Sequence, residues 1–380
     1  MTDLNTASSP APVLTGSALD EIDTAATGLD LAALARVRAQ VAARAHAVDA
    51  GEASLVPAVQ DLGAAGLLDL GVEDLLAGRE RATDVRASAR VVFELAQECV
   101  STAFSVFAHR MVLDYLARCE RSAASEAVLA DLRRALVLGS SAMVAPRRTP
   151  EGLVLATRAR REGGGLVLAG RVPWASNILP GTVAVLSTEL EDGRRAALWT
   201  RVGEPGLEVR PVTGLLALGA TASASLHVDG LRVPEDQVLT TDLDGLVAAF
   251  RPTFLTLQTA FCLGLADRAL AETAVRLDDA PGHGMQGRFA EARRAYEQVA
   301  LTWASAAADV RSTPVVELIR LRLSAIEVAA DATRVESAVA GGRGYLVGTA
   351  TSRRFREAAF LPVQTPPESQ LRAELAALGG

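Results

Sequence analysis

The sequence predicts a mainly helical protein with a central β-domain. Apolar residues recur at spacings of three and four up to about residue 134 and again from about 242. Between 138 and 240 the segments are short, β-branched and bounded by turns, and that middle has no strand–helix alternation, which argues against a dinucleotide-binding βαβ unit. A chain of 380 residues exceeds a single core. The expected division is a disordered Ser/Thr/Pro-rich start at 1–15, a helical domain at 16–134, a β-domain at 135–240 and a helical bundle at 241–380.

In order along the chain, Leu34, Val37, Val41, Ala45 and Val48 form one helical face, with Gly51 as its stop. Val85, Val92, Leu95 and Cys99 mark a second helix, and Phe104, Phe107, Met111 and Tyr115 a third. Gly163-Gly164-Gly165 and Asp192-Gly193 are hairpin turns between strands. Helical spacing returns with Phe254, Leu257, Phe261 and Leu265, breaks over 279–287, and resumes over 289–308 and 315–340.

All 38 basic residues are arginine, because the chain has no lysine. That excludes Schiff-base chemistry, lysine-bound pyridoxal phosphate and the lysine-containing phosphate loop. The net charge of -7 argues against a nucleic-acid surface. Three scattered cysteines make neither a disulfide framework nor a zinc cluster, and a reducing, cytoplasmic compartment is the expectation. The four histidines are not spaced as metal ligands: His46 is on the polar side of a helix, His227 in a strand and His283 in a Gly/Pro loop. No signal peptide and no run of 18 apolar residues is apparent, so no membrane span is expected. The alanine and arginine bias is that of a GC-rich, bacterial genome.

Several strings then fall in one order along the chain. They are Leu62-Gly63-Ala64-Ala65-Gly66-Leu67-Leu68, Arg171-Val172-Pro173-Trp174-Ala175-Ser176-Asn177, the segment from Val228 to Leu239, Gly264-Leu265-Ala266-Asp267-Arg268-Ala269-Leu270 and Gly341-Gly342-Arg343-Gly344-Tyr345. Together they resemble the acyl-CoA dehydrogenase family. The resemblance implies three domains (helical, β-barrel-like and a C-terminal four-helix bundle), a flavin between the β-domain and the bundle, and a homodimer or homotetramer completing each cofactor site. It places Trp174 against the flavin and Ser176 at its reactive edge. An indole gives a rigid apolar wall, and a hydroxyl can bond a ring nitrogen. Met143 and Val144 would approach the flavin through backbone groups, and Gly341, Gly342 and Arg343 would contact the cofactor. Arg147 and Arg148 stand where the family's flavin loop differs, as candidate phosphate partners.

The family's base is a glutamate, needed to take the proton beside the thioester. Its two usual positions fall here on Thr365 and Phe254, neither of which is a carboxylate. Glu368 is the nearby carboxylate, and it also fits the first turn of a helix over 369–378. His109, after Cys99-Val100-Ser101-Thr102-Ala103, resembles a histidine of flavin monooxygenases built on the same fold, and equally fits a buried structural ring. Three functional readings follow. The first is an acyl-CoA dehydrogenase-like oxidoreductase using FAD (or FMN) on an acyl thioester or related small molecule, with an electron-transfer flavoprotein as partner. The second is a two-component monooxygenase fed by a flavin reductase. The third is a catalytically inactive, flavin-free homologue serving as a partner subunit.

Overall fold

In the computed structural model, residues 27–143, 147–149, 152–279 and 284–378 are described. The expectation of disorder at 1–15 lies outside them, as do Val144 and His283. Helix α1 (Leu31–Asp49) opens on Asp30, whose carboxylate accepts from the Ala33 amide at 2.9 Å. The five residues of its predicted stripe are all buried. Helices α2 (Val56–Ala64) and α3 (Val72–Leu76) lead to α4 (Arg86–Glu98) and α5 (Val100–Arg118), which are separated only by extended Cys99. Helix α6 (Ala123–Arg133) closes this part with a Ser122 capping box.

Strands β1 (Gly139–Ser141) to β10 (Val238–Thr240) follow. The others are β2 (Arg147–Thr149), β3 (Gly152–Val154), β4 (Thr157–Glu162), β5 (Gly165–Ala175), β6 (Val183–Leu190), β7 (Arg195–Arg201), β8 (Leu207–Pro211) and β9 (Ala224–Pro234). The main sheet runs β10-β7-β6-β4-β5-β9-β8, with β1 parallel to β6 and β2–β3 pairing separately. Both predicted hairpins are present: Gly163 and Gly164 turn β4 into β5 at φ 58° and 80°, and Gly193 turns β6 into β7 at φ 81°. One face of the strands closes on its own core, including Leu168, Val172, Leu186, Leu198 and Leu226.

Helices α7 (Leu243–Asp279), α8 (Gln286–Ala308), α9 (Val315–Ala340), α10 (Ala350–Ala358) and α11 (Glu368–Ala377) complete the fold. By length and composition α7 could cross a membrane, which the absence of a long unbroken apolar run did not lead one to expect. Of its apolar stretch 67% is buried, and it packs on α4, α5, α8 and α9 as the central bundle helix. Gly264 makes this possible, because a Cβ there would lie 2.3 Å from the Phe93 carbonyl of α4. Phe93 stacks on Trp303 of α8, whose indole N–H donates to the Thr256 carbonyl at 2.9 Å. The N-terminal helices, one sheet face (Val183, Val185, Trp199) and the bundle thus share one continuous core.

Helix α10 ties four elements together. The Arg353 guanidinium donates to the Glu98 carbonyl at the end of α4 (2.7 Å), and the Val100 amide that opens α5 donates to the Glu357 carboxylate (3.1 Å). Each charge thus matches a helix end of the opposite partial charge. Arg354 pairs with buried Glu336 of α9, which also accepts from Thr351 at 2.7 Å, and Arg356 forks onto Asp49 of α1.

Candidate functional site

The end of β5 carries the first group of predicted site residues. Ala175 faces the sheet core while Trp174 and Ser176 face away from it, as strand alternation requires. Trp174 is 60% exposed, so its indole is largely uncovered. Asn177 then turns the chain at φ 63°, a left-handed conformation that asparagine tolerates. Its side chain is buried and fully matched. The amide nitrogen donates to the carbonyls of Ser105 (2.9 Å) and Gly139 (3.0 Å), and the amide oxygen accepts from the Ser105 hydroxyl (2.5 Å). Its backbone amide donates to the Thr221 carbonyl at 2.7 Å. The strand end is thereby fixed to α5, to β1 and to the 3-10 turn Gly219–Thr221.

Hydroxyls surround this junction. Ser140 donates to the Ser176 carbonyl at 2.6 Å, and the Ser176 hydroxyl lies 2.9 Å from that of Ser223. Ser223 lies 2.9 Å from the Thr221 hydroxyl, which donates to the Leu218 carbonyl at 2.8 Å. On the other side Tyr115 bonds Ser141 at 2.8 Å, and burial pushes its phenol well above the usual range. Met143 is partly buried on the main core just beyond β1.

The two positions at which a base was sought lie on the bundle. Phe254 belongs to an aromatic cluster, 5.2 Å from the Phe107 ring and 5.8 Å from that of Phe250, and Phe104, Phe261 and Phe360 extend it. This wall offers dispersion and no proton acceptor. Thr365 is exposed, and its carbonyl accepts from Gln258 at 2.9 Å. Glu368 opens α11 with its carboxylate taken by Arg372 (2.7 Å), the helix-start role that the sequence already allowed.

Two residues of this region escaped the sequence reading. Gln258 is fully buried, one turn beyond Phe254. Arg322 is fully buried on α9, donates to the Leu361 carbonyl (3.0 Å) and the Gln364 side chain (3.1 Å), and lies 5.5 Å over the Phe261 ring. It also donates to the Cys262 sulfur at 2.7 Å. Burial holds the Arg322 guanidinium below its ordinary pKa, and pushes the Cys262 thiol up to about 11. The segment 359–367 hangs from these two side chains. A readable signal existed for Arg322: it interrupts the apolar stripe Leu318, Ala325, Ala329 with a charge.

His109 is fully buried with both ring nitrogens engaged. The Gly139 amide donates to Nδ1 at 3.0 Å, and Nε2 donates to the Leu132 carbonyl at 2.9 Å. The tautomer follows, since a carbonyl cannot donate. Burial lowers the ring's pKa to about 4. A role at the flavin's reactive edge does not fit this geometry, because neither nitrogen is free; the ring clamps α5 to α6 and β1. Gly139 allows the clamp, since a Cβ there would meet Val112 at 2.9 Å.

Gly341, Gly342 and Arg343 form an exposed 3-10 turn after α9 and pack on α9 and α10. They sit on the bundle, whereas the strand end with Trp174 and Ser176 is anchored to α5, β1 and Gly219–Thr221. The neighbouring Tyr345 and Val347 are each 91% exposed. Arg147 and Arg148 lie in β2, paired with Val154 and Leu153.

This arrangement of helices, sheet and bundle is the acyl-CoA dehydrogenase fold. The structure of the glutaryl-CoA dehydrogenase–glutaryl-CoA complex superposes with a TM-score of 0.79 at 19% identity, over 92% of this chain and 94% of that one. Glutaryl-CoA dehydrogenase from Mycobacterium smegmatis in complex with FADH2 gives 0.79 at 17% identity, over 95% and 97%. In sequence, the human mitochondrial short-chain specific acyl-CoA dehydrogenase is 25% identical over 328 residues, covering 80% of this chain and 78% of that protein. No family profile matches the chain. The chain thus has the acyl-CoA dehydrogenase fold and is a divergent relative, in sequence, of the short-chain acyl-CoA dehydrogenases. Its open indole and adjacent hydroxyl fit one face and one edge of a planar heteroaromatic ring such as a flavin.

Proposed function

We propose that the protein is a flavin-dependent oxidoreductase acting on an acyl thioester or a related small molecule. The observation that supports this most directly is the uncovered face of Trp174 beside the Ser176 hydroxyl, at a strand end that Asn177 holds rigid. A bound flavin would supply the two-electron chemistry. Trp174 would cover a ring face, Ser176 would bond a ring edge, and backbone groups at Met143 and Val144 would approach the ring. FAD is the proposed form, with FMN as the other arm of the test. The Gly341–Arg343 turn would complete a neighbouring subunit's site in a homodimer or homotetramer, since within one chain it is held on the bundle. Electrons would pass to an electron-transfer flavoprotein, and the protein would work in the cytoplasm.

A second reading rests on the base. Phe254, Thr365 and the Arg372-bound Glu368 leave the expected positions without a free carboxylate. Proton abstraction beside a thioester is then poorly served, whereas oxygen chemistry on reduced flavin from a reductase needs no such base. A visible spectrum of the purified protein and anaerobic titration with acyl-CoA thioesters separate the readings. Flavin absorption that bleaches with a thioester supports the dehydrogenase. A colourless protein that takes up reduced flavin supports the monooxygenase. A protein that binds neither form overturns both and leaves the partner-subunit reading. Thr365→Glu should introduce or strengthen bleaching if position 365 faces the substrate.

A further inference from the structure

The hydroxyl chain at the strand end has a direction. A hydroxyl carries one proton. Thr221 donates its proton to the Leu218 carbonyl (2.8 Å), because a carbonyl only accepts. The same carbonyl accepts from the Thr221 backbone amide at 3.1 Å, which fixes the turn on which the hydroxyl sits. In the 2.9 Å contact between Thr221 and Ser223, Thr221 has no proton left and Ser223 must donate. In the 2.9 Å contact between Ser223 and Ser176, Ser223 is spent in its turn, so Ser176 donates. The Ser176 proton therefore points inward along the chain. What Ser176 offers to the space beside Trp174 is a lone pair. Cooperative polarisation along the chain strengthens this arrangement.

We infer that Ser176 is set as a hydrogen-bond acceptor and selects the reduced form of a flavin over the oxidised form. This rests on the flavin reading proposed above and goes beyond it. The central ring nitrogen of an oxidised flavin carries a lone pair and no hydrogen, so it would meet the Ser176 lone pair unfavourably. The same nitrogen in the reduced flavin carries N–H and matches it. Specificity of this kind comes from the mismatch as much as from the match. By linkage, tighter binding of the reduced form raises the bound flavin's midpoint potential, by about 30 mV per tenfold for two electrons.

The test is anaerobic titration of the whole protein with FAD and with FMN, each oxidised and each photoreduced, followed by quenching of tryptophan fluorescence. The wild type should bind the reduced form at least about tenfold more tightly, the ratio expected from one hydrogen bond made against one refused. Ser223→Ala and Thr221→Val each break the chain above Ser176 and free its proton to turn outward. Both should reduce the ratio at least threefold, chiefly by improving oxidised binding. Ser176→Ala, which removes match and mismatch together, should do the same chiefly by weakening reduced binding. Circular dichroism confirms that each variant is folded, and the conservative shape of Thr221→Val guards against loss of the turn. A wild-type ratio within twofold of unity, or a ratio unchanged in all three variants, overturns the assignment and leaves the flavin reading standing. If neither FAD nor FMN binds in either redox state, both readings are overturned.

Discussion

Asn177→Ala is predicted to destabilise the protein by about 4 kcal/mol. Asn177 makes three buried side-chain hydrogen bonds, two from its amide nitrogen and one to its amide oxygen. Each buried bond contributes about 1 kcal/mol. The left-handed φ of 63° adds about 1 kcal/mol against alanine. Asn177→Gly loses the same bonds without the backbone penalty, so it should cost about 3 kcal/mol and be the milder change, although glycine is ordinarily the more disruptive residue. The assay is urea unfolding followed by circular dichroism, comparing midpoints at fixed slope. Both variants should also alter the emission of Trp174, three residues upstream, because the strand end loses its ties to α5 and β1. The anchoring role of Asn177 is refuted if Asn177→Gly is no more stable than Asn177→Ala, or if both lose less than about 1 kcal/mol.

Three further outcomes are expected. His109 has its folded pKa lowered to about 4, so below the ordinary value of about 6.5 the unfolded chain takes a proton that the folded protein refuses. Its contribution therefore makes stability fall as pH drops through that window, by about 1.4 kcal/mol per pH unit at most, and urea midpoints at pH 7 and pH 5 should converge for His109→Gln relative to wild type. Glu357 has the opposite sign: burial raises its carboxyl to about 7, so the folded protein holds a proton that the unfolded chain has lost, and stability falls as pH rises from about 4.5 to 7. Glu357→Gln should remove that slope while keeping an oxygen for the Val100 amide, and an unchanged slope would locate the titration elsewhere, Asp267 (raised to about 6) being the next candidate. Finally, Glu336→Gln should cost about 3–5 kcal/mol by leaving the Arg354 guanidinium buried without its carboxylate, whereas Glu336→Leu with Arg354→Met should recover most of the loss, as thermal unfolding would show.

The sequence disclosed the fold through periodicity. The stripe from Leu34 to Val48, the glycine turns at 163–164 and 193, and the helices at 289–308 and 315–340 are local patterns that residue spacing and turn residues alone reveal. The continuous core through both helical parts was not legible, because it depends on which faces meet across hundreds of residues. At the site, Trp174 and Ser176 stood out by motif, and the geometry adds why they face outward together. For His109 the sequence left a reactive ring and a buried structural ring equally open, because it shows a side chain and not its partners; both partners, Leu132 and Gly139, are backbone atoms brought in by α6 and β1. Gln258 passed unnoticed for a related reason, since its partner is the Thr365 carbonyl, 107 residues away. The direction of the Thr221–Ser223–Ser176 chain was likewise invisible, because it is a property of three hydroxyls and one carbonyl in space.

The suspended segment at 359–367 bears on how such a protein changes its chemistry over evolutionary time. Arg322 and Gln258 hold that segment by its backbone and by Gln364, and neither contact depends on what side chain stands at 365. The mount and the side chain at 365 are therefore separable units of inheritance. A lineage can exchange that side chain without losing the loop that presents it, and a replacement there arrives on a mount that is already held. Position 365 is a socket: the fold maintains it, and its occupant is free to vary.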